Sequence, residues 1–252
     1  MASKRIAFLV ATFILTGCAT PQKASLHEAL SSRGEQGMPH KILLLPVDVR
    51  VHEISAGGVV EKVDEWTLTA NANATKSLRK IAGSGKAFEL KEPPDFTGED
   101  KAVLEEHLAL YVHVAGSADL ARSSNFEVWR ERAKKFDYTL GPGLSRIAEH
   151  ADADAAIIIV GSDYVSSSGR KATMALGFLA AAFTGVAIVP AGGTAFISVG
   201  VVDLKSGDLL WFSTDRSANR DLRDDGQMQA VLEQLFASYP GMTPAKAARG
   251  AQ

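Results

Sequence analysis

Apolar and polar positions recur along this chain in two periods, and the switches between them outline an α/β domain. Lys41-Ile-Leu-Leu-Leu-Pro46-Val-Asp-Val-Arg50 opens with a continuous apolar run that suits a buried strand. Pro46 implies an edge or a bulge in that strand. Val47, Val49 and Val51 then alternate with Asp48, Arg50 and His52, as in a half-exposed strand. Ser55–Gly58 reads as a turn, and Val59–Val63 as a strand pairing back. Asp64 is placed as the cap of a helix to about Ile81, with Val63, Trp66, Ala70, Ala74, Leu78 and Ile81 at helical spacing. Gly83 and Gly85 end it, and Phe88–Leu90 is a short strand before Pro93-Pro94. Thr97 and Asp100 have the spacing of a capping box, opening a helix to about Leu120 striped by Leu104, Leu108, Tyr111 and Ala115.

The charged segment Phe126–Phe136 is expected to be helical, Tyr138–Gly143 a loop, and Leu144–His150 a short helix. Ala155–Gly161 is the clearest central strand and runs on toward Ser166. Thr194–Leu204 and Leu209–Ser213 flank the short Lys205–Asp208 link, which predicts a β-hairpin. Asp224–Leu235 follows as an amphipathic helix carrying Met228, Val231, Leu232 and Leu235. The pattern predicts an α/β fold (α+β as the other arrangement), a mixed sheet with flanking helices and a C-terminal β-hairpin plus helix. One domain is placed at 41–238, after a flexible tether at 18–40 and before a disordered tail at 239–252.

The first residues follow a different pattern. Met1–Arg5 is basic without an acid, Ile6–Leu15 is mostly apolar, and Thr16 and Gly17 are small. That order is an export signal, and its apolar run is shorter than the roughly 20 residues of a transmembrane helix. Leu15-Thr16-Gly17-Cys18 resembles the bacterial lipobox. The resemblance implies a signal peptide at 1–17, cleavage between Gly17 and Cys18, and lipid attachment at Cys18. Cys18 is also the single cysteine of the chain, so no internal disulfide competes for it. One acyl chain anchors only marginally, but the three implied by the lipobox hold a protein at the membrane. Ala19 follows Cys18 where an Asp is absent, and by resemblance to Gram-negative lipoprotein sorting this favours the outer membrane, with the domain in the periplasm.

Charge and composition add bounds. The leader carries Lys4 and Arg5 and no acid, so the mature chain keeps 25 basic residues against 29 acidic ones, a net charge of −4. That balance argues against nucleic acid as a partner. Residues 172–202 carry no charge at all. Within them 172–193 form a small-residue-rich apolar insert, where Gly177, Ala181 and Gly185 recur every fourth residue and permit close packing. Three readings stay open for this insert: a helix or hairpin buried on the sheet, a helix that packs between copies, and a membrane-inserting segment.

Signals for catalysis are sparse. Ser77 and Lys80 match a Ser-x-x-Lys pair, but no Lys-Thr-Gly companion accompanies it. Gly83-Ser-Gly-Lys86 lacks the upstream Gly and the Ser/Thr of a phosphate loop. The six histidines show no zinc spacing, and His150, Asp152 and Asp154 lack the rest of a calcium loop. No catalytic residue, metal or cofactor is therefore assigned, with an envelope hydrolase using Ser77 and Lys80 as the enzymatic alternative.

The stretch from Tyr138 carries a resemblance of its own. TLGPGLSRIAEHADADAAIIIVGSDYVSSSGR, then a Gly/Ala-rich segment, then GTAFISVGVVDLKSGDLLWFSTD and DLRDD, resembles a group of proteobacterial outer-membrane lipoproteins. The order of strand, helix and hairpin is more distantly similar to envelope-assembly lipoproteins such as the curli secretion lipoprotein, the outer-membrane activators of peptidoglycan synthases, and the N-terminal domain of TolB. The resemblance implies a non-enzymatic periplasmic adaptor that binds another envelope protein or itself. Gly207 is expected at the hairpin turn between Asp203 and Asp208. Trp211 is expected on the packed side of its strand, since an exposed Trp would instead mark a partner surface.

Overall fold

The computed structural model describes residues 24–31, 37–85, 87–123, 129, 131–132, 134–184, 193–218 and 220–242. They form one mixed sheet of eight strands with helices on both faces, the α/β arrangement that the hydrophobic pattern predicts. The axis is β6 (Ala155–Ser166), whose first six residues are all buried. On one flank β7 (Ala195–Asp203) runs antiparallel to it, and β8 (Leu209–Ser217) antiparallel to β7, which is the predicted hairpin. On the other flank β2 (Lys41–Leu44) and β3 (Asp48–Ile54) lie end to end, both parallel to β6. Pro46 falls in the gap between them, where a missing N–H costs no ladder bond. β4 (Val60–Lys62) returns antiparallel to β3, and β5 (Glu89–Lys91) lies parallel to β2.

Alternation along β6 sends odd and even residues to opposite faces. Ile157 and Ile159 join Val49, Val51, Val199 and Trp211 under α2 (Asp64–Ser84) and a C-terminal helix, Asp225–Phe236. Ala156, Ile158 and Val160 join Leu43, Val202 and Phe212 under α3 (Gly98–Ser123) and α4 (Ser145–Ala151). The predicted helix stripes point into these two cores: Ala70, Ala74 and Leu78 of α2 are fully buried, and so is Tyr111 of α3. At the hairpin turn Gly207 has φ +79°, and a Cβ there would lie 1.8 Å from the Gly141 carbonyl oxygen. Only glycine fits that approach.

The expected boundaries of the domain need correction. Residues 18–40 read as a tether, yet Ser25–Leu26 forms β1, antiparallel to β8, and Leu30 of α1 (Glu28–Ser31) is buried. Two residues of strand leave no period to detect. At the other end Tyr239 is buried at 2% exposure against Trp211 and Phe88, so the core passes residue 238. Local caps also differ. Val63, not Asp64, is the N-cap of α2, and Asp100 pairs with Arg146 and His150 of α4. The leader, Gly17, Cys18 and part of the Phe126–Phe136 segment lie outside the described residues.

Candidate functional site

The insert contains a helix, α5 (Ser168–Thr184), which begins directly after β6. The C-terminal helix Asp225–Phe236 is accordingly α6. The first turn of α5 is tied down: the Ser167 N–H donates to the Ile54 carbonyl (2.9 Å), and the Lys171 N–H to the Ser167 carbonyl (2.9 Å). Beyond that turn Leu176, Phe178 and Leu179 are 66%, 61% and 59% exposed. The reading of a helix buried on the sheet is therefore wrong. The buried first half of β6 is already covered on both faces, by α2 with α6 and by α3 with α4. Gly177 is half-buried and Ala181 lies in the helix, whereas Gly185 falls outside the described residues. No helix among the described residues is long and apolar enough to cross a membrane.

At the base of α5 a cavity of about 480 Å³ is lined by Asp163, Ser166, Lys171, Met174, Arg220 and Asp221. Asp163 points inward from β6, 1% exposed, and accepts the Leu222 N–H at 2.8 Å. Burial pushes its carboxyl up to about 6, and the nearby Asp221 adds to this. The Leu222 N–H bond and Arg223 oppose the rise. Asp221 itself is held below the ordinary carboxylate range by hydrogen bonds from Arg223 (2.6 and 2.8 Å).

A second feature lies on the open part of the sheet beside α3. Register places Arg50, Ser162, Phe196 and Arg216 in one row across β3, β6, β7 and β8. Next to it His52 stacks on Tyr164, with ring centroids 4.9 Å apart. The Arg216 guanidinium lies 4.8 Å over the Phe196 ring and reaches Asp119 of α3 at 3.3 Å. Thr214 donates to the other Asp119 oxygen at 2.9 Å. Arg50 clasps Asp48 through two hydrogen bonds, of 3.0 and 2.7 Å, which raise its pKa. Arg50, His52, Ser162, Tyr164 and Phe196, with Val112 and His113 of α3, border a groove of about 480 Å³. The row has no contiguous signature in the sequence, because its members lie on four strands. The alternation of Asp48, Arg50 and His52 was its one legible trace.

The remaining candidates are placed apart from these features. Ser77 is buried on the packed face of α2, while Lys80 is exposed. Trp211 is fully buried between Phe236 and Tyr239, so it serves packing and not a partner surface. His150 pairs with Asp100, and Asp152 with Lys41 (2.8 Å) and Lys91 (3.6 Å). Among the described residues no group of three or more metal-ligating side chains converges.

No protein-family model matches this chain, and no curated protein matches it. Among solved structures it is similar to the PelC dodecamer from Paraburkholderia phytofirmans. That likeness has 13% identity and a TM-score of 0.31, over 84% of this chain and 94% of that one. A point variant of the same dodecamer matches at 11% identity and a TM-score of 0.31, over 77% and 86%.

Proposed function

We propose that the protein is a non-enzymatic adaptor or assembly factor of the bacterial cell envelope. Acyl chains on Cys18 hold it at the periplasmic face of the outer membrane, where it binds another envelope protein or a second copy of itself. The observation that carries this reading is Leu15-Thr16-Gly17-Cys18, with the chain's single cysteine at the cleavage point of an export signal. The surface offered to the partner is the open sheet face around Arg50, Tyr164, Phe196 and Arg216. Arginine and aromatic side chains are the types enriched at interfaces and binding hot spots. The hydrolase alternative gains nothing from a Ser77 packed into the core.

Crosslinking in intact envelopes, followed by recovery of the native lipoprotein, tests the reading. Tyr164→Ala and Arg216→Ala should each strip a partner from the recovered complex, a hot-spot loss being about 2 kcal/mol or more. Undiminished recovery with both variants would count against this face. A second reading, an oligomeric secretion or pore component using residues 172–193, takes its support from the exposed apolar side chains of α5. Mature protein lacking Cys18 that scatters light as a monomer would count against it.

A further inference from the structure

From Ala172 to its end α5 contains no charged residue, and none of its described side chains is buried. A helix that is apolar around its circumference belongs in a large core or in lipid. Among the described residues no core surrounds this one, so something else must cover Leu176, Phe178 and Leu179. The direction in which the N-terminal chain leaves the sheet identifies the cover.

β1 is antiparallel to β8, with Ser25 opposite Phe212, so the chain preceding Ser25 heads along β8 toward Ser217. Ser217 lies opposite Ala195, and Ala195 opposite Asp163. That is the end of the sheet where β6 finishes at Ser166 and α5 begins. Ser25 shares its row with Phe212, Gly200 and Ile158. From Ile158 to Ser166 the strand climbs roughly 26 Å, at about 3.3 Å per residue. From Ser25 back to Cys18 the chain can span at most about 25 Å. Even fully extended along the sheet, Cys18 arrives no farther than the base of α5. The direction of β1 chooses the end: in a chain that keeps it, acyl chains on Cys18 meet the bilayer at the end of the domain that bears α5.

We infer that α5 is a second membrane contact: its apolar part enters the same lipid leaflet that holds the acyl chains, with Arg170 and Lys171 at headgroup level. The inference rests on the acylation of Cys18 proposed above. The apolar part, at about 1.5 Å per residue, is roughly 20 Å long, short of the ~30 Å hydrocarbon core, so the contact is one leaflet deep. Two attachments at one end fix the domain's tilt and turn the Lys205–Asp208 hairpin away from the membrane.

The full-length lipoprotein, processed in a Gram-negative host and reconstituted in phosphatidylethanolamine/phosphatidylglycerol vesicles, tests this with a thiol-reactive, polarity-sensitive fluorophore. Acylated Cys18 offers no free thiol, so Leu179→Cys provides the single labelling site, and Lys205→Cys is the control at the opposite end. The fluorophore at 179 should emit at shorter wavelength than at 205 and lose most of its intensity to a lipid-borne quencher, while 205 keeps its intensity. Water-like emission at 179 that the lipid quencher leaves unchanged overturns the membrane contact. So does a short-wavelength emission insensitive to the quencher, with energy transfer between copies, which assigns the helix to a second copy. Labelling of the unsubstituted protein would show a free Cys18 thiol and overturn the anchor itself, a failure separate from that of the helix.

Discussion

At the residue scale the cores are set by single large side chains and by a few buried polar groups. Trp211 fills the space between α6 and β8, and Trp211→Ala should cost about 3–5 kcal/mol in chemical denaturation. Tyr111 bonds Ser198 at 3.1 Å where both are fully buried. Asp163 acts in the opposite sense. Its carboxyl titrates near 6 in the fold against 3.8 as the ordinary value, so the folded state binds its proton more tightly. Its contribution to stability therefore falls as pH rises from about 4 through about 6, and is level above that. Asp163→Asn keeps an oxygen for the Leu222 N–H and removes the buried charge. It should flatten this dependence and stabilise the protein above pH 6 by an amount on the order of 1–2 kcal/mol. Melting curves across pH 4–8 check the sign; an Asn variant that is less stable at pH 7.5 would contradict the assignment.

At the element scale, the strands and helices with a sustained period were legible in the sequence. β6, the β7–β8 hairpin, α2, α3 and α6 appear where Ala155–Ser166, Thr194–Ser213 and the three amphipathic stripes predict them. What lacked a period was hidden. β1 is two residues long, and its place is fixed by β8 through the backbone, including the His27 N–H donating to the Leu210 carbonyl at 2.9 Å. His27→Pro deletes that donor and should cost about 1–2 kcal/mol, with faster hydrogen exchange in β1 and the facing part of β8. The insert misled for another reason, since composition reports that a segment is apolar but not whether the sheet has a free face for it. Because α5 is exposed, Leu176→Lys and Phe178→Lys should leave the unfolding free energy of the detergent-free protein within about 0.5 kcal/mol of the parent. A loss of several kcal/mol would place α5 back in a core.

At the scale of the whole molecule, the candidate surface was scarcely readable in advance, because Arg50, Ser162, Phe196 and Arg216 meet only through register. The proposed anchor rests instead on four adjacent residues, Leu15-Thr16-Gly17-Cys18, which lie outside the described residues. What the fold adds is geometry. With β1 docked on β8, the described fold begins at Ala24 instead of residue 41, so the proposed acyl chains on Cys18 would hold the domain close to the membrane. The most direct measurement of this account is metabolic labelling with a clickable fatty acid. The parent protein should take up the label and Cys18→Ser should lose it entirely. Persistent labelling of Cys18→Ser, or a parent that never labels, would contradict the lipid anchor on which the proposed function stands.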